Sequence, residues 1–111
     1  MITRYAIFNG TVKAGEQASM RAWVEANLAP LWRQFAGAED VQVLYGVEQD
    51  ANGPVIPLIL AITYADEAAM ARGLGSPARY TSRDMLPEFY QRFFDDVTLW
   101  HYVMEAGADG T

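Results

Sequence analysis

Residues 58–64, "LILAITY", leave this chain few ways to fold. A strand sends successive side chains to opposite faces. Here Leu58, Leu60, Ile62 and Tyr64 oppose Ile59, Ala61 and Thr63, so both faces are largely apolar. Residues 97–104, "VTLWHYVM", repeat the pattern, with Leu99, His101 and Val103 on one side and Trp100, Tyr102 and Met104 on the other. At roughly 25 cal/mol per Å² of apolar area, several such side chains left in water would forfeit several kcal/mol. A sheet built from these strands needs cover on both sides.

The rest of the chain supplies the elements of that sheet. "ITRYAIFNG" reads as a first strand ending at a turn signal, Asn9-Gly10. Over residues 16–35 the period changes: Met20, Val24, Leu28, Leu31 and Phe35 share one helical face, and Gly37 follows as a C-terminal cap. "VQVLYGVE" alternates again, and Asn52-Gly53 signals a hairpin into the strand that Pro57 precedes. Asp66 can cap a helix through Met70 to Leu74, and further helix runs to about Phe94 before the last strand. The order is β-α-β-β-α-β. It predicts an α+β, ferredoxin-like fold: a four-stranded antiparallel sheet with the helices on one face. Residues 1–111 form one domain in this reading, with about 105–111, "EAGADGT", as a polar tail.

Two segments interrupt the helices. Pro30 cannot donate to Ala26, which predicts a kink, with Asn27 bordering a pocket or satisfying the break. The stretch "GLGSPARYTSRDMLPEFY", residues 73–90, reads as a helix that stops and restarts. Gly75 ends one helix, Ser76 caps the next, and Pro77 takes its first position. Ala78, Ser82, Met85 and Phe89 then form a core stripe, with Arg79 and Arg83 on an outer face. Tyr80 and Asp84 are spaced to hydrogen-bond, and Pro87 kinks or restarts the helix.

Helices cover one sheet face only, and the tail is too polar to cover the other. A second copy docked through a two-fold axis is therefore expected, giving a homodimer through the sheet face.

Charge and composition exclude several classes. A formal charge of −6 argues against nucleic acid and anionic membrane surfaces. The absence of cysteine removes disulfides, thiolate metal sites and a cysteine nucleophile. The N-terminus reads as a strand rather than a signal peptide, and no apolar run reaches membrane-spanning length, so a cytoplasmic protein is expected. One histidine and scattered carboxylates give no metal ligand set, and "GLGSP" lacks the lysine of a phosphate loop; no cofactor is expected.

His101 is the only histidine, and so the only side chain that titrates near neutrality unperturbed. It suits a general base or polar anchor in an apolar cleft, or a buried histidine bonded to a carbonyl or tyrosine. Tyr5, Tyr45, Tyr64, Trp23 and Trp100 divide among core, interface and pocket. Alternation alone does not decide which sheet face meets the helices.

The chain resembles the dimeric α+β barrel superfamily and, within it, the EthD family. In "MRAWVEANLAPLW", Trp23 matches the family's helix aromatic, Asn27 stands in place of its histidine, and Pro30-Leu31 match its proline and leucine. In "LAITYADEAAMARGLGSPARYTSRDMLPEF", Ser76-Pro77, Asp84, Met85 and Phe89 match the second motif. The resemblance implies a ligand held between sheet and helices, and relatives that are binding modules or cofactor-free monooxygenases, cyclases and isomerases. It implies a homodimer binding a small apolar or aromatic metabolite; His101 is the candidate catalytic residue, and Trp23, Asn27, Tyr45, Tyr64, Tyr80 and Asp84 are the candidate ligand contacts. The enzyme would be a cofactor-independent oxidoreductase, or an isomerase or polyketide-cyclase-like enzyme using His101 as acid/base. A non-catalytic accessory protein and a purely structural dimer are the alternatives.

Overall fold

β1 (Ile2–Val12) runs through the middle of a four-stranded sheet. On one side it pairs antiparallel with β3 (Leu58–Tyr64), on the other with β4 (Phe94–Glu105). β2 (Asp40–Tyr45) adds to the free edge of β3, giving the order β2-β3-β1-β4, every pair antiparallel. This is the ferredoxin-like β-α-β-β-α-β plan. The structure, a computed structural model, describes residues 1–108. The polar tail expected over 105–111 begins after Glu105, and its residues 109–111 lie outside the described residues.

The register decides which face is which. Ile2, Ala6, Phe8, Leu58, Leu60, Ile62 and Tyr64 are buried, and form one cluster with the helical residues Met20, Val24, Leu28, Trp32 and Phe89. Even-numbered residues of β1 thus meet the helices. Cross-strand pairing puts Leu99, His101 and Val103 on the same face. Thr3, Tyr5, Ile7, Ile59, Trp100, Tyr102 and Met104 take the other. There Thr3 and Thr63 hydroxyls bond at 2.9 Å.

The first helical segment is α1 (Gln17–Trp23), a π-helical turn at Val24–Leu28, and α2 (Ala29–Trp32). Pro30 has no N–H, and the π turn accommodates that loss. Ala29 donates five residues back to the Val24 carbonyl, while the Asn27 side-chain amide donates to the Trp23 carbonyl at 3.1 Å. The added residue rotates α2 about the helix axis. Trp32, not Leu31, takes the fully inward position, and Leu31 is half-buried.

α3 (Glu67–Leu74) starts on Asp66, whose carboxylate accepts from the Ala69 N–H at 2.8 Å, as expected of a cap. α4 (Pro77–Asp84) and α5 (Leu86–Phe93) come next, with Pro77 and Pro87 each in a first turn. Ala78, Ser82 and Phe89 are buried and Met85 half-buried, so the anticipated core stripe is present.

Four local signals play out differently from their sequence pattern. Asn9-Gly10 does not turn; β1 continues to Val12 through a register shift beside β4. Gly10 is instead a point of close approach, since a Cβ there would collide with the Asp96 carbonyl. Asn52-Gly53 lies in a longer loop, residues 46–57, where the Gly53 N–H donates to Asp50 at 2.9 Å. Gly75 ends α3 as expected, but at φ −91°, which any residue adopts. Ser76 stands at the N-cap position, but its hydroxyl accepts from the Ala36 N–H at 2.8 Å and ties the turn after α2 to the α3–α4 junction.

Candidate functional site

Ala6 is the small residue in a row of large ones. Along the helix-facing side of β1 it lies between Arg4 and Phe8, and it pairs with Leu60 on β3 and His101 on β4. Above it is a cleft of about 140 Å³ between the sheet and the helices. That is close to the ~150 Å³ of an apolar cavity that admits benzene. Phe8, Leu60 and Leu99 form the sheet side, and Trp32 and Phe35 one helical wall.

The opposite wall is polar. Arg79, Ser82, Arg83 and Leu86 follow an i, i+3, i+4, i+7 stripe across α4 and the start of α5. Ser82 is satisfied by the Arg79 carbonyl at 2.9 Å. Arg79 and Arg83 were expected on an outer face; both border the cleft, Arg79 half-buried and Arg83 still exposed, and Tyr80 faces out. With Arg4 and His101, they surround the hollow with basic groups and, among the described residues, no carboxylate.

The electrostatics follow from that enclosure. Partial burial holds the His101 imidazole below its ordinary value, and the charges of Arg4 and Arg79 depress it further. Arg4 is itself lowered, by burial first and then by Arg79. His101 keeps solvent access and makes no hydrogen bond among the described residues, unlike a core histidine bonded to a carbonyl. It is a neutral base open to the cleft at pH 7.

The other candidate residues do not gather here. Trp23 stacks on Phe89 at 5.4 Å and 9° and belongs to the aromatic core. Asn27 is occupied with the π turn. The Tyr45 hydroxyl donates to Glu25 at 2.6 Å, and its pKa is raised by burial and by that carboxylate. It borders a second, larger hollow of about 610 Å³ lined by the 46–57 loop, without His101. Tyr64 is fully buried. Tyr80 is exposed, with Arg79 and Arg83 against its ring at 5.8 and 5.3 Å. Those cations occupy the flank where Asp84 was expected to bond it; Asp84 is exposed and has no side-chain partner among the described residues.

Arg4, Arg79, Arg83 and Trp32 are site residues that the sequence does not single out. The available signal for Arg4 is its place two residues from Ala6 on the face shared with Phe8. Among the described residues, no three His, Cys, Asp or Glu side chains cluster to hold a metal, and no helix is long and apolar enough to cross a membrane.

No protein-family model and no curated protein matches the sequence. Solved structures do match in fold. An EthD (ethyl tert-butyl ether degradation) family protein from Bacillus halodurans superposes with a TM-score of 0.68 at 17% identity, over 96% of this chain and 98% of that one. An antibiotic biosynthesis monooxygenase, so described, from Deinococcus radiodurans gives 0.62 at 21% identity, over 97% and 94%. SnoaB from Streptomyces nogalater, a cofactor-independent oxygenase, gives 0.57 at 18%, over 96% and 93%. The chain has the ferredoxin-like α+β fold that these proteins share.

Proposed function

We propose that this is an EthD-like protein that binds a small apolar or aromatic metabolite in the cleft above Ala6 and oxidises it without a cofactor. The observation that carries the reading is His101, a neutral imidazole at the mouth of an apolar cleft large enough for one ring. Such a base takes a proton from an acidic C–H or O–H of the substrate. The enolate or phenolate left behind is electron-rich enough to react with dioxygen. Arg4 and Arg79 stabilise the negative charge as it develops, in a site partly shielded from water. The oxygenase description of one fold neighbour supports this choice over a rearrangement that stops at proton transfer.

The test uses 2-indanone, an enolisable aromatic ketone of suitable size, in deuterated buffer. The protein should accelerate deuterium exchange at the α-carbons, and His101→Ala should abolish the acceleration while keeping the circular dichroism of the fold. Dioxygen uptake with the same probe decides oxidation against rearrangement. Exchange no faster than in buffer would leave a binding protein without this catalytic role.

We also propose that the protein is a homodimer through the outer sheet face. Trp100, Tyr102 and Met104 are 51, 52 and 56% exposed there, beside Tyr5 and Ile7. Residues 106–108, which follow β4, are themselves exposed.

A further inference from the structure

The cleft is basic in an acidic protein. The chain carries 14 acidic and 8 basic residues, yet three arginines and the histidine line this one hollow, and among the described residues no carboxylate does. Among the described residues the single side-chain ion pair is Arg92–Glu88, on the surface of α5. The Arg4 guanidinium makes no hydrogen bond to any described residue, and that of Arg79 makes only a long one, 3.3 Å to the Leu74 carbonyl.

A half-buried guanidinium without an acid partner is an unfavourable resting state, because its charge is partly desolvated and its donors are unused. Two of them beside one apolar hollow leave an attraction that the protein itself does not satisfy. Guanidinium donors form a planar fork that fits a carboxylate through two parallel hydrogen bonds. Phe8, Trp32 and Leu99 offer the rest of the hollow to an apolar body. A developing enolate alone would need these charges only during the reaction; a carboxylate on the substrate uses them from the moment of binding.

We infer that the cleft takes a one-ring aromatic carboxylate, its carboxylate held by Arg4 and Arg79 and its ring lying over Ala6 against the apolar wall. This deepens the function proposed above and rests on the cleft being the binding site. The acid then carries its own orienting group, leaving His101 free to act elsewhere on the ring or its substituents.

Benzoate and benzamide test the inference, since they share a shape and differ in charge. Calorimetric titration of the full chain should show benzoate binding about tenfold or more tighter than benzamide. High salt should weaken benzoate and spare benzamide. Benzoate should also raise the His101 pKa in an NMR titration, because a carboxylate offsets the two arginines that depress it; Arg83 is the other charged group facing the cleft. Arg4→Met and Arg79→Met should each erase most of the preference, and Arg4→Lys should keep part of it. The comparison in the unmodified protein stands even where a variant fails to fold. Benzamide binding that shifts His101, with benzoate no tighter, overturns the substrate class and leaves the cleft. A preference that survives in both methionine variants overturns the assigned arginines. Failure of both probes to perturb His101 overturns this inference together with the binding site.

Discussion

Ala6 on β1 pairs with His101 on β4, and both face the helices. The methyl group opposite the imidazole is what makes room for the cleft. Ala6→Leu would place three more carbons in a space of about 140 Å³. Because the added group fills a void, the variant should be as stable as the parent or gain up to about 2 kcal/mol. Benzamide affinity, measured by calorimetry, should fall by more than about tenfold. Unchanged affinity would move the ligand away from Ala6.

The titration of His101 should report its surroundings. Burial is the largest cause of its lowered pKa, followed by Arg4 and then Arg79, so imidazole resonances should give a midpoint below about 6.5. Arg4→Met should raise that midpoint more than Arg79→Met. The neutral form is favoured in the folded state. The associated stability is therefore present above the unfolded value and is lost as pH falls through the lowered folded value. His101→Gln should flatten this part of the dependence of urea stability on pH. A midpoint above about 6.5 would contradict the basic character of the cleft.

Gly73 and Tyr64 constrain each other. A Cβ on Gly73 would lie 2.6 Å from Tyr64 Cε1 and 2.9 Å from the Ala36 carbonyl oxygen. Gly73→Ala should cost about 1–3 kcal/mol, read as a lower urea midpoint, despite alanine's better helix propensity. The Tyr64 hydroxyl is buried and has no hydrogen-bond partner among the described residues. A buried polar group in that state is unfavourable by about 1–3 kcal/mol, so Tyr64→Phe should be neutral or stabilising. A clear loss of stability in Tyr64→Phe would mean that the hydroxyl has a partner.

Period and order make the fold legible from the residues alone. Strand alternation over 58–64 and 97–104, the helical stripe from Met20, and the Ser76-Pro77 restart are all present in the structure. Local meaning is where the reading fails. Gly10 carries a turn signature but serves backbone contact with Asp96 on β4, a neighbour distant in sequence that no local pattern reveals. The candidate site is legible at His101, because it is the only histidine and lies mid-strand. Trp23, Asn27 and Tyr64 look polar-tipped and available, but the Phe89 ring, the π turn and Gly73 respectively occupy their surroundings. Arg79 and Arg83 are hidden because a basic residue on a helix reads as solvated until the packing of that helix on the sheet shows what it faces.

Trp100 and His101 are neighbours in sequence on opposite sheet faces, which separates assembly from chemistry. The proposed dimer buries Trp100, Tyr102 and Met104 against a second copy, and in such interfaces a central tryptophan contributes strongly. Sedimentation velocity at micromolar concentration should show a dimer for the parent protein. Trp100→Glu places a charge in the apolar patch and should give a monomer, since an unpaired carboxylate there loses its water on association. The His101 titration should be unchanged in that monomer, because the imidazole and both arginines beside it face the helices. A parent protein that sediments as a monomer would leave the outer face to another partner. A Trp100→Glu monomer with a shifted His101 pKa would show instead that the second copy helps shape the cleft.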